Sequence, residues 1–180
     1  VYLAPSNAEE YIAMLDWALD QDKHPVYIAI PSGPVVHAEG SVRTNFDALN
    51  TYEVTRKGSK VAVLALGDFY DLGEKTVEAL SSTLGIEATL VKPYFASGVD
   101  QNLLDNLVKD HDVIVTIEDG IIEGGWGQNI ASYLGTSSAR VLNYGVKKAF
   151  YDRVNIAELM RESHLDPELI AADVKQVLGL

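Results

Sequence analysis

The sequence predicts an α/β fold of three layers, a largely parallel sheet with helices on both faces. Two observations carry this. From Gly58 onward, short apolar runs alternate with amphipathic stretches. The runs at 61–66 and 113–117 are apolar at nearly every position, the composition of strands buried on both faces, whereas a one-sided sheet would alternate apolar and polar. Strands joined through helices in this way are expected to cross over right-handedly.

Taken in order, Ser6 followed by Glu9 makes a capping-box pattern, and Tyr11, Ile12, Leu15, Ala18 and Leu19 recur at helical spacing, so an amphipathic helix is expected first. After the turn at Lys23-His24-Pro25, residues 26–30 form a β-rich run that Pro31 and Pro34 end, because proline cannot donate to a ladder. Residues 35–57 are mixed and polar, with Gly40, Asn45 and Asn50 and no sustained period; they read as a linker holding one short strand. The regular pattern then predicts strand 61–66, helix 73–84 with Gly85 at a left-handed C-cap, strand 87–91 and helix 100–110, with Leu103, Leu104, Leu107 and Val108 on one face. Strand 113–117, helix 127–134, strand 139–143 and helices 156–162 and 167–178 follow. Asp166-Pro167 supplies an N-cap with proline at the first helical position. No repeat or low-complexity tract interrupts the series.

With 180 residues and 47% hydrophobic content, the chain can bury the core of one main domain. A net charge of -12, from 26 acidic against 14 basic residues, repels phosphate backbones and anionic lipid, so neither nucleic acid nor a membrane is an expected partner. No apolar run is long enough to cross a bilayer. The absence of cysteine excludes a disulfide framework and thiolate zinc sites, and accords with a cytoplasmic location. The chain opens on Val1-Tyr2-Leu3 without a start methionine or a basic leader, the pattern expected of a piece that begins inside a longer gene product.

Ligands in open α/β sheets bind beyond the carboxyl ends of the strands, which here are Gly67-Asp68, Glu118-Asp119 with Gly124-Gly125, and Tyr144-Gly145. Glu118 and Asp119 have the residue types for acid–base work or hard-metal ligation. Neighbours leaving a strand point apart, however, and a lone acidic pair lacks the further oxygens a cation needs, so helix capping or an interface hydrogen bond is the leading expectation. Gly124-Gly125-Trp126-Gly127 at a helix start offers backbone amides to an anion. It has neither the glycine order of a dinucleotide loop nor the lysine of a P-loop, and a tight turn packing helix on sheet is the plainer reading. His111 and His164 are expected as caps at helix C-termini. His24 has no chemical partner in sequence, and His37, after Pro-Gly-Pro, is the histidine best placed to face a pocket. Tyr94, Phe95, Trp126, Tyr144, Phe150 and Tyr151 suit either a protein interface or the core.

Several ordered blocks resemble transketolase-type thiamine-diphosphate enzymes, and most of all the 1-deoxy-D-xylulose-5-phosphate synthases. These are Ala4-Pro-Ser-Asn-Ala-Glu-Glu-Tyr11 with Pro25-Val-Tyr-Ile-Ala-Ile-Pro-Ser-Gly33, Val61-Ala-Val-Leu-Ala-Leu-Gly67, Ala88-Thr-Leu-Val-Lys-Pro-Tyr-Phe-Ala-Ser-Gly-Val-Asp100, Val113-Ile-Val-Thr-Ile-Glu-Asp-Gly-Ile-Ile-Glu-Gly-Gly-Trp-Gly-Gln-Asn-Ile130 and Val141-Leu-Asn-Tyr-Gly145. The resemblance implies that residues 1–33 are the tail of a pyrimidine-binding domain, 34–53 a linker and 54–180 a transketolase-type C-terminal domain. It implies a homodimeric transferase that uses thiamine diphosphate and magnesium to join pyruvate to glyceraldehyde 3-phosphate for isoprenoid precursors. The cofactor would carry the carbanion chemistry. The family's diphosphate-magnesium motif and its cofactor-activating glutamate belong to N-terminal domains without a counterpart here. No residue is therefore carried over as catalytic, cofactor-binding or metal-ligating, and this chain alone is expected to bind no cofactor. Alternatives are the C-terminal domain of a transketolase or of a 2-oxo-acid dehydrogenase β subunit, or a non-catalytic dimerisation module. The synthases place arginines where Ala29 and Ser32 stand; a serine cannot replace a bidentate guanidinium, which points to a different acceptor or to another phosphate-holding loop. The pocket or interface candidates are Glu118, Asp119, Gly124, Gly125, Ser32 and His37.

Overall fold

The structure, a computed structural model, describes residues 1–31 and 33–180; the candidate Ser32 lies outside the described residues. In chain order, β1 (Tyr2–Leu3), α1 (Ala8–Asp20) and β2 (Tyr27–Ile28) form a small βαβ unit, with β1 and β2 parallel. After an irregular stretch come β3 (Glu53–Arg56), β4 (Lys60–Ala65), a 3-10 turn at Gly67–Phe69, α2 (Tyr70–Leu84), β5 (Thr89–Lys92) and α3 (Gln101–Leu107). They are followed by β6 (His111–Ile121), α4 (Trp126–Tyr133), β7 (Arg140–Val146), α5 (Ile156–Glu162) and α6 (Pro167–Leu178). The main sheet has the order β3-β5-β4-β6-β7 and is parallel throughout, save for the edge strand β3, which runs antiparallel to β5.

Successive strand residues point to opposite faces, and here both faces are apolar. Val61, Val63, Ala65, Val113, Val115 and Ile117 pack against Val77 and Leu80 of α2 and Ile170 and Val174 of α6. Ala62, Leu64 and Ile114 pack against Leu104 and Leu107 of α3 and Trp126 and Ile130 of α4. This is the three-layer arrangement that the uninterrupted apolar runs predict. Gly85 takes φ 65° and returns its N–H to Leu80 and Ser81, the left-handed C-cap expected of it.

A third apolar cluster joins the βαβ unit to the main sheet: Leu3, Met14 and Trp17 meet Phe46, Tyr94 and Phe95. Backbone bonds from Ala4 N–H to Tyr94 O and from Ala96 N–H to Tyr2 O reinforce the junction. Residues 34–52 carry no helix or strand, yet Phe46 is completely buried.

Several expectations shift: α2 begins at Tyr70, before the expected 73, α3 ends at Leu107, short of 110, and β7 runs to Val146, past 143. The α1 N-cap is Asn7, whose side chain accepts from Glu10 N–H, while the Glu10 carboxylate accepts from Ser6 N–H; the capping box thus lies one residue later than Ser6/Glu9, leaving Glu9 to other partners. The strand expected at 26–30 pairs only at Tyr27 and Ile28, because β1 offers just two residues before Pro5. β1 itself is too short to show any period. β6 runs on to Ile121, beyond the expected 113–117, because Ile121 still pairs with Val146.

Candidate functional site

Where β6 ends, the adjacent carboxylates part company. Glu118 turns inward and is buried, while Asp119 is exposed. Glu118 Oε2 accepts from Trp126 N–H at 2.9 Å and its Oε1 from Gly127 N–H at 2.8 Å, so one side chain fills the first two amides of α4. Burial pushes the Glu118 carboxyl above the usual carboxylate range, and the two amides oppose the shift. The glycines make this possible by close approach. A Cβ on Gly125 would stand 2.5 Å from Ile121 O and 2.7 Å from Glu118 Oε1, and one on Gly127 only 2.4 Å from Thr116 Oγ1. Gly124, at φ 84°, gives its N–H to Gln128 Oε1, and Gly125 gives its own to Ile122 O. The turn therefore donates these four amides to the protein's own acceptors, which fill the place the sequence offered to an external anion.

Asp119 faces the carboxyl end of β4, where Asp68 is partly buried; burial, and then the charge of Asp119, raise the Asp68 carboxyl. The neighbouring Tyr2 hydroxyl is also raised, first by burial and then by the surrounding anionic groups. At the end of β7, the Tyr144 hydroxyl donates to Asp173 Oδ2, and His164 Nδ1 lies 2.7 Å from the same oxygen. His164 thus pairs with α6 instead of capping carbonyls. His111 does cap, with Nδ1 2.8 Å from Leu107 O, the last residue of α3.

His37 lines a different feature, an open cleft of about 1250 Å³ between α1, the irregular stretch and the start of α2. His37 Nδ1 is 2.8 Å from Glu9 Oε1, and Ala38 N–H donates to Glu9 Oε2. Together these hold the Glu9 carboxyl at about 2. In the cleft wall, the buried Glu10 receives Lys92 Nζ at 2.7 Å and the Ser6 hydroxyl at 2.9 Å. Lys92 Nζ also lies 4.0 Å from the Tyr70 ring centre, a cation–π contact. The Tyr94 hydroxyl donates to Glu53, and burial raises it strongly. The cleft cluster of Glu10, Lys92, Glu53 and Tyr94 is absent from the sequence candidates, although one signal marks it: Glu10 shares the apolar helix face of Ala13, Met14 and Trp17.

Among the described residues no three His, Asp or Glu side chains are grouped to hold a metal. At the glycine turn, the Trp126 and Gly127 amides are taken by the Glu118 carboxylate.

A family model described as "Transketolase, C-terminal domain" matches residues 50–170. The 1-deoxy-D-xylulose-5-phosphate synthase of Pseudoalteromonas translucida is 33% identical over 181 aligned residues, covering 99% of this chain and 28% of that protein. That of Clostridium tetani is 27% identical, covering 98% and 28%. The chain thus spans about 28% of the length of these curated relatives. Among solved structures, a split-gene transketolase described as an inactive β4 tetramer superposes with a TM-score of 0.78 at 23% identity, over 99% of this chain and 58% of that one. A transketolase variant from Pichia stipitis gives 0.70 at 17% identity, over 97% and 24%. Both structural likenesses concern the fold.

Proposed function

The chain belongs to the transketolase C-terminal domain family, and on that premise we propose that it is the C-terminal part of a thiamine-diphosphate-dependent transferase of the 1-deoxy-D-xylulose-5-phosphate synthase kind. Its own role is assembly, and the catalytic groups come from N-terminal domains outside these 180 residues. The observation that carries this reading is Glu118: at the sheet end where a ligand would sit, its carboxylate occupies the amides of Trp126 and Gly127. The match over 99% of this chain but 28% of the synthase supports it too.

The parent would be a cytoplasmic homodimer that binds thiamine diphosphate and magnesium and joins pyruvate to glyceraldehyde 3-phosphate, feeding isoprenoid precursors. Ala29 and Ser32, standing where the synthases carry arginines, favour an altered acceptor. A transketolase parent is the second reading, favoured by the superposition on the split-gene transketolase.

Titrating thiamine diphosphate with magnesium into the chain by calorimetry is expected to give no binding heat. Saturable binding would overturn the assembly role. Replacing the matching segment of the Pseudoalteromonas translucida synthase with this chain should give a folded enzyme that consumes pyruvate in a thiamine-diphosphate-dependent way. A folded chimera that consumes only ketose phosphates would select the transketolase reading, and one inert to both would refute the enzyme assignment.

A further inference from the structure

Residues 34–52, which connect the βαβ unit to the main sheet, carry neither helix nor strand, and Arg43 gives them a shape of their own. Its guanidinium donates to Asn45 O at 2.7 Å, Thr51 O at 3.0 Å and Thr51 Oγ1 at 2.8 Å, and lies over the Phe46 ring, 5.1 Å from its centre. Asp47 Oδ1 accepts from the Trp17 indole at 2.9 Å.

The last residue of this connector, Tyr52, is fastened to α3 and α4 instead. Tyr52 N–H donates to Asp100 Oδ2 at 2.9 Å, while Asp100 Oδ1 caps α3 by accepting from Leu103 N–H. The Tyr52 hydroxyl donates to Gly98 O at 2.7 Å and accepts from Trp126 Nε1–H at 2.9 Å. Trp126 is buried and opens α4, and its backbone N–H goes to Glu118 Oε2. The two donors of one residue thus face two different segments, the amide the end of β6 and the indole the end of the connector. A buried indole N–H needs its partner, and the backbone that Glu118 holds carries that indole.

The geometry points to a relay: Glu118, acting through Trp126, sets how firmly Tyr52 and the end of the connector are held, the ionised carboxylate fastening them and the protonated carboxyl loosening them. The two amides at the start of α4 favour the charged form, so by reciprocity a proton on Glu118 works against that start and against the indole it positions. Fastening is therefore complete above the Glu118 titration and lost as the pH falls through it. Burial raises the Glu118 carboxyl, which brings that titration to a higher pH than an exposed glutamate has. The other ionisable groups at this end of the sheet are Asp119 beside it, Asp68 after β4 and Tyr2 of β1. All are acids, and none can hold the Glu118 charge in place of the amides. Arg43 and Asp47 keep the rest of the connector in shape, so Tyr52 is the point that yields. The relay goes beyond the assembly role, because it makes the junction of the βαβ unit and the main sheet responsive to the end of β6.

Hydrogen exchange by NMR tests this, with the Val63 and Leu64 amides of β4 reporting any global opening. Tyr52→Phe is expected to speed exchange of the Trp126 indole N–H roughly tenfold, the worth of one such bond. Glu118→Gln, at a site that bonds to neither the indole nor Tyr52, should speed exchange of both the indole and the residue-52 amide about threefold or more. In the Tyr52→Phe background the same substitution should change the residue-52 amide by less than about twofold, since the connection is already cut. In the wild type, lowering the pH through the Glu118 titration, followed at its carboxyl carbon, should loosen the same two groups after correction for intrinsic rates, and Glu118→Gln should show no such step. The β4 amides should stay protected throughout. A residue-52 amide indifferent to Glu118→Gln, an equal effect of that substitution with and without Tyr52→Phe, or a wild type without the pH step would each overturn the relay. If Glu118→Gln opens β4 as well, the wild-type pH step decides alone. Cofactor calorimetry and chimera turnover do not depend on the Tyr52 contact, so this proposal can fail while the family reading stands.

Discussion

Glu118 shows how a single side chain decides what the end of a sheet can do. Its oxygens stand 2.8 and 2.9 Å from two amides at the start of α4, and charge-assisted bonds of this type are stronger than neutral ones. Glu118→Ala is expected to cost about 1–3 kcal/mol for each amide left unpaired in the interior, read from urea unfolding. Glu118→Gln keeps one acceptor oxygen and should lose about half as much. Its neighbour Asp119 has the same chemistry in sequence and no such partner. Only the alternation of side chains along β6 separates them, and sequence indicates that they diverge without telling which one turns inward. Glu9 is a milder case at the surface. Its carboxyl is held at about 2, against an ordinary 4.5, by His37 first and then by Ala38 N–H. A depressed carboxyl stabilises the fold above its unfolded value, so this contribution is complete above 4.5 and lost as the pH falls towards 2. In His37→Ala, the Glu9 midpoint should move up towards 4.5, a change that carboxyl-carbon NMR titration follows directly.

Among the elements, α1 and β5 are joined by the buried pair of Glu10 and Lys92, with side chains 2% and 14% exposed. Such a pair gains little over a well-packed apolar substitute, but removing one partner strands a charge. Lys92→Met is therefore expected to cost about 3–5 kcal/mol in urea unfolding, and Glu10→Leu with Lys92→Met to recover most of that loss. Elements defined by local signals were legible in the sequence: Ile156–Glu162 and Pro167–Leu178 match their expected bounds, Pro167 behind the Asp166 cap marking the start of the second. Elements defined by distant pairing were not. β1 exists because Tyr2 and Leu3 find Tyr27 and Ile28, and β3 because Glu53 and Val54 find Lys92 and Val91; the sequence allowed one short strand in that linker without locating it.

For the whole molecule, the layers follow from composition along the strands, since residues apolar on both faces of β4 and β6 require cover on both sides. How the βαβ unit sits on the main sheet does not follow, because its contacts join Leu3 and Trp17 to Phe46, Tyr94 and Phe95 across long stretches of chain. The candidate site was legible in the same uneven way: the glycine turn could be located, whereas the Glu10–Lys92 cleft spans segments that only the fold brings together. That separation also gives the folding of this chain a timetable. The Glu10 carboxylate must wait for a lysine 82 positions later in the sequence, about 4 to 16 s at ordinary rates of translation. Through that interval the apolar side of the first helix, with Met14 and Trp17, has emerged without its cover. Newborn chains of this protein should therefore occupy a chaperone in proportion to how slowly the ribosome reaches Lys92.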